Sequence, residues 1–149
     1  MEGKLERELV IDADGLIVGR LASYAAKFAL EGNRVKIINA EKALISGDKK
    51  MIINEWLEKL EIKSKIHPRH TPRHYRRPDK VLKRIIRGML PREKAKGRES
   101  FKRIKVYLGV PKEIEKVKPL ALEKAKAKKP RAYYLSLGEL GKNLGWEYG

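Results

Sequence analysis

The residues best suited to chemistry lie in one stretch, His67–Pro78, where arginine, histidine, tyrosine and proline alternate. The guanidinium group of arginine presents five donors in a planar fork that fits phosphate oxygens, and it also stacks on bases. Histidine and tyrosine rings can stack on unpaired bases. The three prolines of the stretch stiffen its backbone, so less conformational entropy is lost on binding. The stretch therefore predicts an arm that binds folded RNA.

The main alternative for this stretch is a metal site, because it contains all three histidines of the chain. Pro68 and Pro72 exclude the continuous helix that would align the three imidazoles. The neighbouring arginines also repel a cation, and the chain has no cysteine to supply thiolate ligands. We expect no metal and no cofactor. A solvated basic loop without a partner is the remaining alternative.

The positive charge of the chain is concentrated in its middle third. The formal net charge is +17 over 149 residues. Residues 63–105 contain 17 lysines and arginines against 3 acidic residues, whereas residues 1–62 contain 10 against 11. A surface adapted only for solubility mixes both signs, and an excess of one sign is tolerated when a polyanion neutralises it. The distribution predicts a nucleic-acid-binding face within residues 63–105.

An anionic membrane is the competing partner for such a basic chain. The sequence contains neither a myristoylation motif nor a signal peptide, and no apolar run approaches the length of a membrane span. We therefore expect an intracellular protein with no membrane partner and no small-molecule substrate.

A second candidate site is the turn Asp12–Arg20, which contains two glycines between a predicted strand and helix. A phosphate could bind at such a helix N-terminus. However, the turn matches neither a Walker A loop nor GxGxxG, and two aspartates would repel phosphate. We favour a tight turn that packs the helix on the sheet. No acids elsewhere pair at a telling spacing and no nucleophile–base set is evident, so we expect no catalytic residues.

Hydrophobic periodicity predicts the elements that position these residues. A strand, a helix and a strand within the first 40 residues predict a βαβ unit with a parallel sheet. The predicted strands are 9–11, 35–38, 104–108 and 132–135. The predicted helices are 18–31, 48–61, 79–90 and a short last helix that begins at the capping box of Ser136 and Glu139.

Two details of these predictions bear on the basic segment. Asp79 is expected to cap helix 79–90. Residues 92–99 carry no predicted element, and residues 112–130 are expected to form a loop with some helix. The core stripe of helix 79–90 is expected to be Val81, Leu82, Ile85, Ile86 and Met89.

Three groups of motifs occur in order along residues 9–110. They are Val10–Ala13 with Gly19–Ala22; Ile38–Lys42 with Ser46 and Gly47; and Arg87–Pro91 with Gly97, Arg98 and Phe101–Gly109. Together they resemble the universal L-thirteen family of large-subunit ribosomal proteins. The segment around His67–Pro78 and the tail after Pro111 resemble its archaeal and eukaryotic branch. The absence of glutamine, with abundant lysine, glutamate and isoleucine, favours a heat-adapted archaeal source.

The resemblance implies an α/β fold, with three layers (α/β/α) and a small, mostly parallel four-stranded sheet. The length of the chain predicts a single domain over residues 1–149. We expect a family-like core at about 9–110, a basic RNA-binding segment at 63–105 and a lineage-specific tail at 111–149. The resemblance also implies a structural protein of the cytoplasmic ribosome, not an enzyme. Its partners would be large-subunit ribosomal RNA and neighbouring ribosomal proteins, and its role would include subunit assembly.

We expect the RNA contacts to come from cations of the middle third, with three rings as stacking candidates, and recognition to depend mainly on RNA shape. The predicted RNA-binding residues are Arg69, His70, Arg73, His74, Tyr75, Arg76, Arg77, Lys83, Arg84, Arg87, Arg92, Lys94, Lys96, Arg98 and Lys102. Two alternatives stay open. One is an RNA-modifying enzyme with a cofactor pocket near Gly15–Gly19, and the other is a regulator that binds messenger RNA outside the ribosome.

Overall fold

A parallel sheet forms the centre of the molecule. The computed structural model describes residues 7–62, 64–70 and 74–147, with the side chain of His70 left out. The strands are β1 Glu8–Asp12, β2 Arg34–Ile38, β3 Leu44–Ser46, β4 Ile104–Val106 and β5 Tyr134–Ser136. The helices are α1 Val18–Leu30, α2 Lys49–Glu61, α3 Pro78–Gly88, α4 Ala95–Lys102 and α5 Leu137–Asn143.

The sheet order is β1-β2-β4, and both strand pairs are parallel. Within the described residues this sheet therefore has three strands, one fewer than the resemblance implied. β5 instead pairs antiparallel with β3, a three-residue strand that hydrophobic periodicity did not reveal. The last strand also starts two residues later than predicted, because Arg131–Tyr133 forms a turn of 3-10 helix. The chain is an α/β protein with a small, mostly parallel sheet.

The predicted βαβ unit is confirmed: α1 connects the parallel strands β1 and β2. α1 buries Val18 and Leu21 together with four alanines, whose small side chains allow close packing on the sheet. Gly32 follows the C-cap residue of α1 and has φ +100°. Its amide donates to the Ala29 carbonyl at 3.1 Å. A residue with a side chain is strained at that φ, which accounts for the glycine.

α3 packs beside α1 in the same core through Val81, Leu82 and Ile86. The prediction that Asp79 caps this helix is wrong. Arg77 is the N-cap and Pro78 occupies the first turn, where its missing amide hydrogen is not needed. The prediction that Met89 belongs to the core stripe is also wrong, because the helix ends at Gly88 and Met89 is 43% exposed.

α4 is an element that the sequence did not reveal. Gly97 and Ser100 are its buried residues, so it has no apolar stripe to detect. A Cβ atom added to Gly97 would lie 1.9 Å from the carbonyl oxygen of Pro91. The glycine thus allows α4 to contact Pro91 of the α3–α4 turn directly.

α2 is packed less deeply than its periodicity predicted. Ile52 is its one buried residue, Ile53, Trp56 and Leu60 are half-buried, and Leu57 is 40% exposed. Asp48 caps the helix by accepting from the Lys50 amide at 3.2 Å. At the other end of the chain, Ser136 caps α5 as predicted, since its hydroxyl accepts from the Glu139 amide at 3.1 Å.

Candidate nucleic-acid interface

The outer face of α3 carries four cations on one side. Lys80, Lys83, Arg84 and Arg87 follow the spacing i, i+3, i+4 and i+7, which places residues on a common helix face. The opposite face of α3 is buried against the core. The apolar stripe therefore fixes the direction in which these cations point.

Two aromatic rings complete this surface. Tyr75 precedes α3, and Phe101 lies in the last turn of α4. With the four cations they line a groove of about 370 Å³, which we name the α3 groove. The ammonium of Lys83 lies 5.2 Å from the centroid of the Phe101 ring, and that of Lys80 lies 5.9 Å from the Tyr75 ring. These cation–π contacts hold the lysines over the rings at the wall of the groove.

Four of the predicted RNA-binding residues meet in the α3 groove: Tyr75, Lys83, Arg84 and Arg87. The predicted RNA-binding residues did not include Lys80 or Phe101. The helical spacing of Lys80 to Lys83 and Arg84 was a sufficient signal for the first. Phe101 gave no such signal, because it lies on α4, the helix that periodicity did not reveal.

His74, Arg76 and Arg77 line an adjoining depression of about 490 Å³ beside the α3 groove. The His74 imidazole is half-buried and meets the Trp56 ring edge-to-face, with centroids 6.4 Å apart. The Nε atom of Arg77 lies 3.0 Å from Oδ1 of Asp79. His74 thus has a packing partner within the protein in addition to any role toward a base.

The backbone just before α3, at Arg76, packs closely against α5. A Cβ atom on Gly141 of α5 would lie 2.9 Å from the Arg76 carbonyl oxygen and 3.0 Å from the Trp146 ring. Gly141 thus permits an approach that a larger residue would block. This close contact positions Arg76 and its neighbours at the start of α3.

Four further predicted residues lie on or just before α4. Arg92, Lys94, Lys96 and Arg98 are all exposed. The Nη1 atom of Arg98 donates to the carbonyl oxygens of Arg92 and Glu93, each at 3.4 Å. Arg98 therefore also stabilises the turn between α3 and α4.

The remaining predicted residues do not join these groups. Arg69 is exposed in the 3-10 turn Pro68–His70. Lys102 lines a different cleft, at the amino-terminal edge of the sheet. Arg73 and the side chain of His70 lie outside the described residues.

The turn Asp12–Arg20 is filled by bonds within the protein. Oδ1 of Asp12 accepts from the Asp14 amide and from the Asn39 side chain, both at 3.0 Å. The amides of Leu16 and Ile17 donate to main-chain carbonyls at 3.1 and 2.9 Å. These amides are therefore already engaged, which agrees with a structural turn.

Among the described residues, no three His, Asp or Glu side chains are grouped to hold a metal ion. No helix in the described ranges is both long and apolar enough to cross a membrane.

Comparison with known proteins identifies the family. A sequence model of the family described as Ribosomal protein L13 matches residues 6–113. The protein named Large ribosomal subunit protein uL13 from Methanocaldococcus jannaschii is 46% identical over 140 residues, which cover 93% of this chain and 98% of that protein. Its namesake from Aeropyrum pernix is 39% identical over 150 residues, which cover 100% of this chain and 97% of that protein. The chain belongs to the ribosomal protein L13 family. The resemblance seen in the sequence is confirmed, and both relatives agree with its archaeal branch.

Residues from each of the three motif groups that carried the L13 resemblance meet at the carboxyl edge of the sheet. Asp12 bonds the Asn39 side chain at 3.0 Å, and Oε2 of Glu41 accepts from the Gly109 amide at 3.0 Å. Asn39 has φ 55° and Gly109 has φ 65°, so both backbones are left-handed at this junction. These L13 motifs therefore join three distant parts of the chain, and their acids serve as hydrogen-bond acceptors in that junction.

Proposed function

We propose that this chain is a structural protein of the large ribosomal subunit that binds large-subunit ribosomal RNA through the α3 groove. The observation that carries the proposal is the groove itself, where four cations and two aromatic rings share one surface. Membership of a ribosomal protein family supports a structural role without catalysis. The relatives described above are named as large-subunit proteins, which supports a place in that subunit and in the cytoplasmic ribosome.

The chemistry of the groove favours RNA. Arginine and lysine neutralise phosphates, and each contact releases condensed counterions. The exposed Tyr75 ring offers a face on which an unpaired base can stack. Because the cations are fixed by a rigid helix, the groove favours recognition of RNA shape over sequence.

The other predicted contacts extend this surface along the chain. His74, Arg76 and Arg77 would follow RNA from one end of the groove. Exposed cations on the α4 side would supply further phosphate contacts at Arg92, Lys94, Lys96 and Arg98. Arg69, His70, Arg73 and Lys102 stay predictions as RNA contacts. Neighbouring ribosomal proteins would complete the set of partners.

The single-domain organisation of residues 1–149 and the three-layer arrangement also stay predictions. Both sheet faces are covered in part, which supports layers on each side. α1 and α3 cover one face, while Ile114 and Tyr107 pack against Val10 and Ile38 on the other.

Charge removal at the groove tests the proposal. The variant Lys83→Gln/Arg84→Gln/Arg87→Gln should bind purified large-subunit ribosomal RNA more weakly. The slope of log affinity against log salt should fall by about 2 to 3, because each lost phosphate contact contributes about 0.7 to 0.9. Affinity is measured by filter binding of the full-length chain at several salt concentrations.

The matched control is Arg20→Gln/Lys27→Gln/Arg131→Gln, which also removes one lysine and two arginines, all exposed and outside the groove. It should keep most of the affinity and of the salt slope. Equal losses in the two variants would show that net charge alone drives binding, and the proposal for the groove would then be wrong.

A further inference from the structure

A second basic surface lies at the amino-terminal edge of the sheet. It is a cleft of about 320 Å³ between the beginnings of the three parallel strands and the end of α4. Among the described residues, every one that lines it is charged, with five cations against one carboxylate. We name it the edge cleft, and its residues are Glu8, Arg34, Lys36, Lys102, Arg103 and Lys105.

The strand-borne cations of the edge cleft point away from α3. Val35 and Ile104 are buried in the core that contains α1 and α3. Arg34, Lys36 and Lys105 occupy the alternate positions of the same strands, so they lie on the other face of the sheet. The three strand-borne cations of the edge cleft therefore lie on the face of the sheet opposite to α3 and its groove.

Contacts within the protein organise the cleft. The ammonium of Lys36 forms an ion pair with the carboxylate of Glu8. The pair is hydrogen-bonded, and this bond lowers the pKa of Glu8 and raises that of Lys36, which favours the charged form of both groups. The Nη1 atom of Arg103 donates to the Ala29 carbonyl at 3.0 Å, which fixes its guanidinium near the C-terminal end of α1.

The exposed cations of the edge cleft lie in a regular array set by the strand spacing of the sheet. Arg34, Lys102 and Lys105 are all exposed. Alternate residues of a strand lie about 6.7 Å apart, and neighbouring strands lie about 4.8 Å apart. Lys36 and Lys105 are directly paired across β2 and β4. A flexible polyanion can follow such a two-dimensional array of cations.

A phosphate backbone fits this cleft better than an acidic protein segment. Protein partners bind chiefly through buried apolar or aromatic anchors, which need matching pockets. No apolar side chain lines the edge cleft among the described residues. Binding of a phosphate backbone requires only cations, since counterion release supplies the free energy.

We propose that the edge cleft binds the phosphate backbone of a second RNA segment, so that the chain joins two RNA segments across its sheet. The inference rests on the proposed function of the α3 groove, and it adds a separate contact on the opposite face. Lys102, which the sequence assigned to the same RNA face as α3, belongs to this second contact.

The test uses the full-length chain and purified large-subunit ribosomal RNA. The cleft variant is Arg34→Gln/Lys102→Gln/Lys105→Gln. Its matched control is Arg131→Gln/Lys116→Gln/Lys118→Gln, which removes one exposed arginine and two exposed lysines from the tail. Thermal unfolding verifies that all variants fold, and ultraviolet crosslinking maps the RNA nucleotides that each one contacts.

The inference predicts two separate crosslinked RNA segments for the unmodified chain. The cleft variant should lose one segment and the α3-groove variant the other. The cleft variant should also lose about 2 units of salt slope through its missing phosphate contacts, whereas its control should keep the slope.

Four results would overturn the inference. Unchanged crosslinks and salt slope in the cleft variant would refute it while leaving the α3 groove intact, because the unmodified chain would still bind RNA. Crosslinks from both surfaces to one RNA segment would refute the joining role. Occupation of the cleft by polyglutamate, without loss of any RNA crosslink, would assign it to an acidic protein. Failure of the unmodified chain to bind the RNA would refute the proposed function as well.

Discussion

Helices α1 and α3 lie side by side on the same face of the sheet, yet their outer faces differ. Both bury an apolar stripe in one shared core. The outer face of α1 has two cations, Arg20 and Lys27. The shorter α3 has four, of which Lys80 and Lys83 lie over aromatic rings. The buried stripe therefore determines where each helix lies, while residues that packing does not constrain determine the charge of its outer face.

The buried stripes of the two helices should be equally important for stability. Leu21 of α1 and Leu82 of α3 are both fully buried. Leu21→Ala and Leu82→Ala should each lower the free energy of unfolding by about 2–5 kcal/mol, because each leaves a cavity in the core. Chemical denaturation measures both values. A loss below about 1 kcal/mol for Leu82→Ala alone would contradict this expectation, because α3 would then contribute little to the free energy of unfolding.

The turn that follows α3 depends on a close contact made by Gly97 of α4. Gly97→Ala should lower the free energy of unfolding by about 1–3 kcal/mol, since the added methyl group would overlap the Pro91 carbonyl. Gly88→Ala is the control, because no atom lies within 4 Å of its added Cβ. It should raise stability by about 0.5–1 kcal/mol. Equal effects of the two substitutions in thermal unfolding would contradict the observed packing of α4.

The aromatic rings beside the two helices should differ in their effect on RNA binding. Tyr75→Leu should weaken binding of large-subunit ribosomal RNA by about 1 kcal/mol, through loss of a stacking face. Tyr24→Leu is the control, because Tyr24 stacks on Phe28 of α1 with ring centroids 6.2 Å apart. It should leave the affinity unchanged. A loss of affinity from Tyr24→Leu as large as that from Tyr75→Leu would remove the distinction between the two faces.

Much of the fold could be predicted because buried faces of helices and strands require apolar residues at regular spacing in the sequence. Helix α1 and strands β1 and β2 follow from their apolar spacing within one or two residues. α4 could not be predicted, since its contact with the α3–α4 turn depends on the missing side chain of Gly97. β3 is too short for a period, and its pairing with β5 joins residues about 90 positions apart.

The candidate site was predictable in type but not in arrangement. Charge clustering identifies the middle third as basic without showing which cations share a surface. Lys102 is close in sequence to Phe101, yet it lines the edge cleft while Phe101 lines the α3 groove. The side chains of these two neighbouring residues point in different directions at the end of α4. The sequence does not show this difference, whereas the packed structure does.

The most direct test of the central claim is sedimentation of a native cell lysate through high-salt gradients, with the chain detected by immunoblotting. We expect the chain to co-migrate with the large ribosomal subunit at salt concentrations that remove loosely bound factors. Recovery of the chain at the top of the gradient, free of ribosomal RNA, would contradict it.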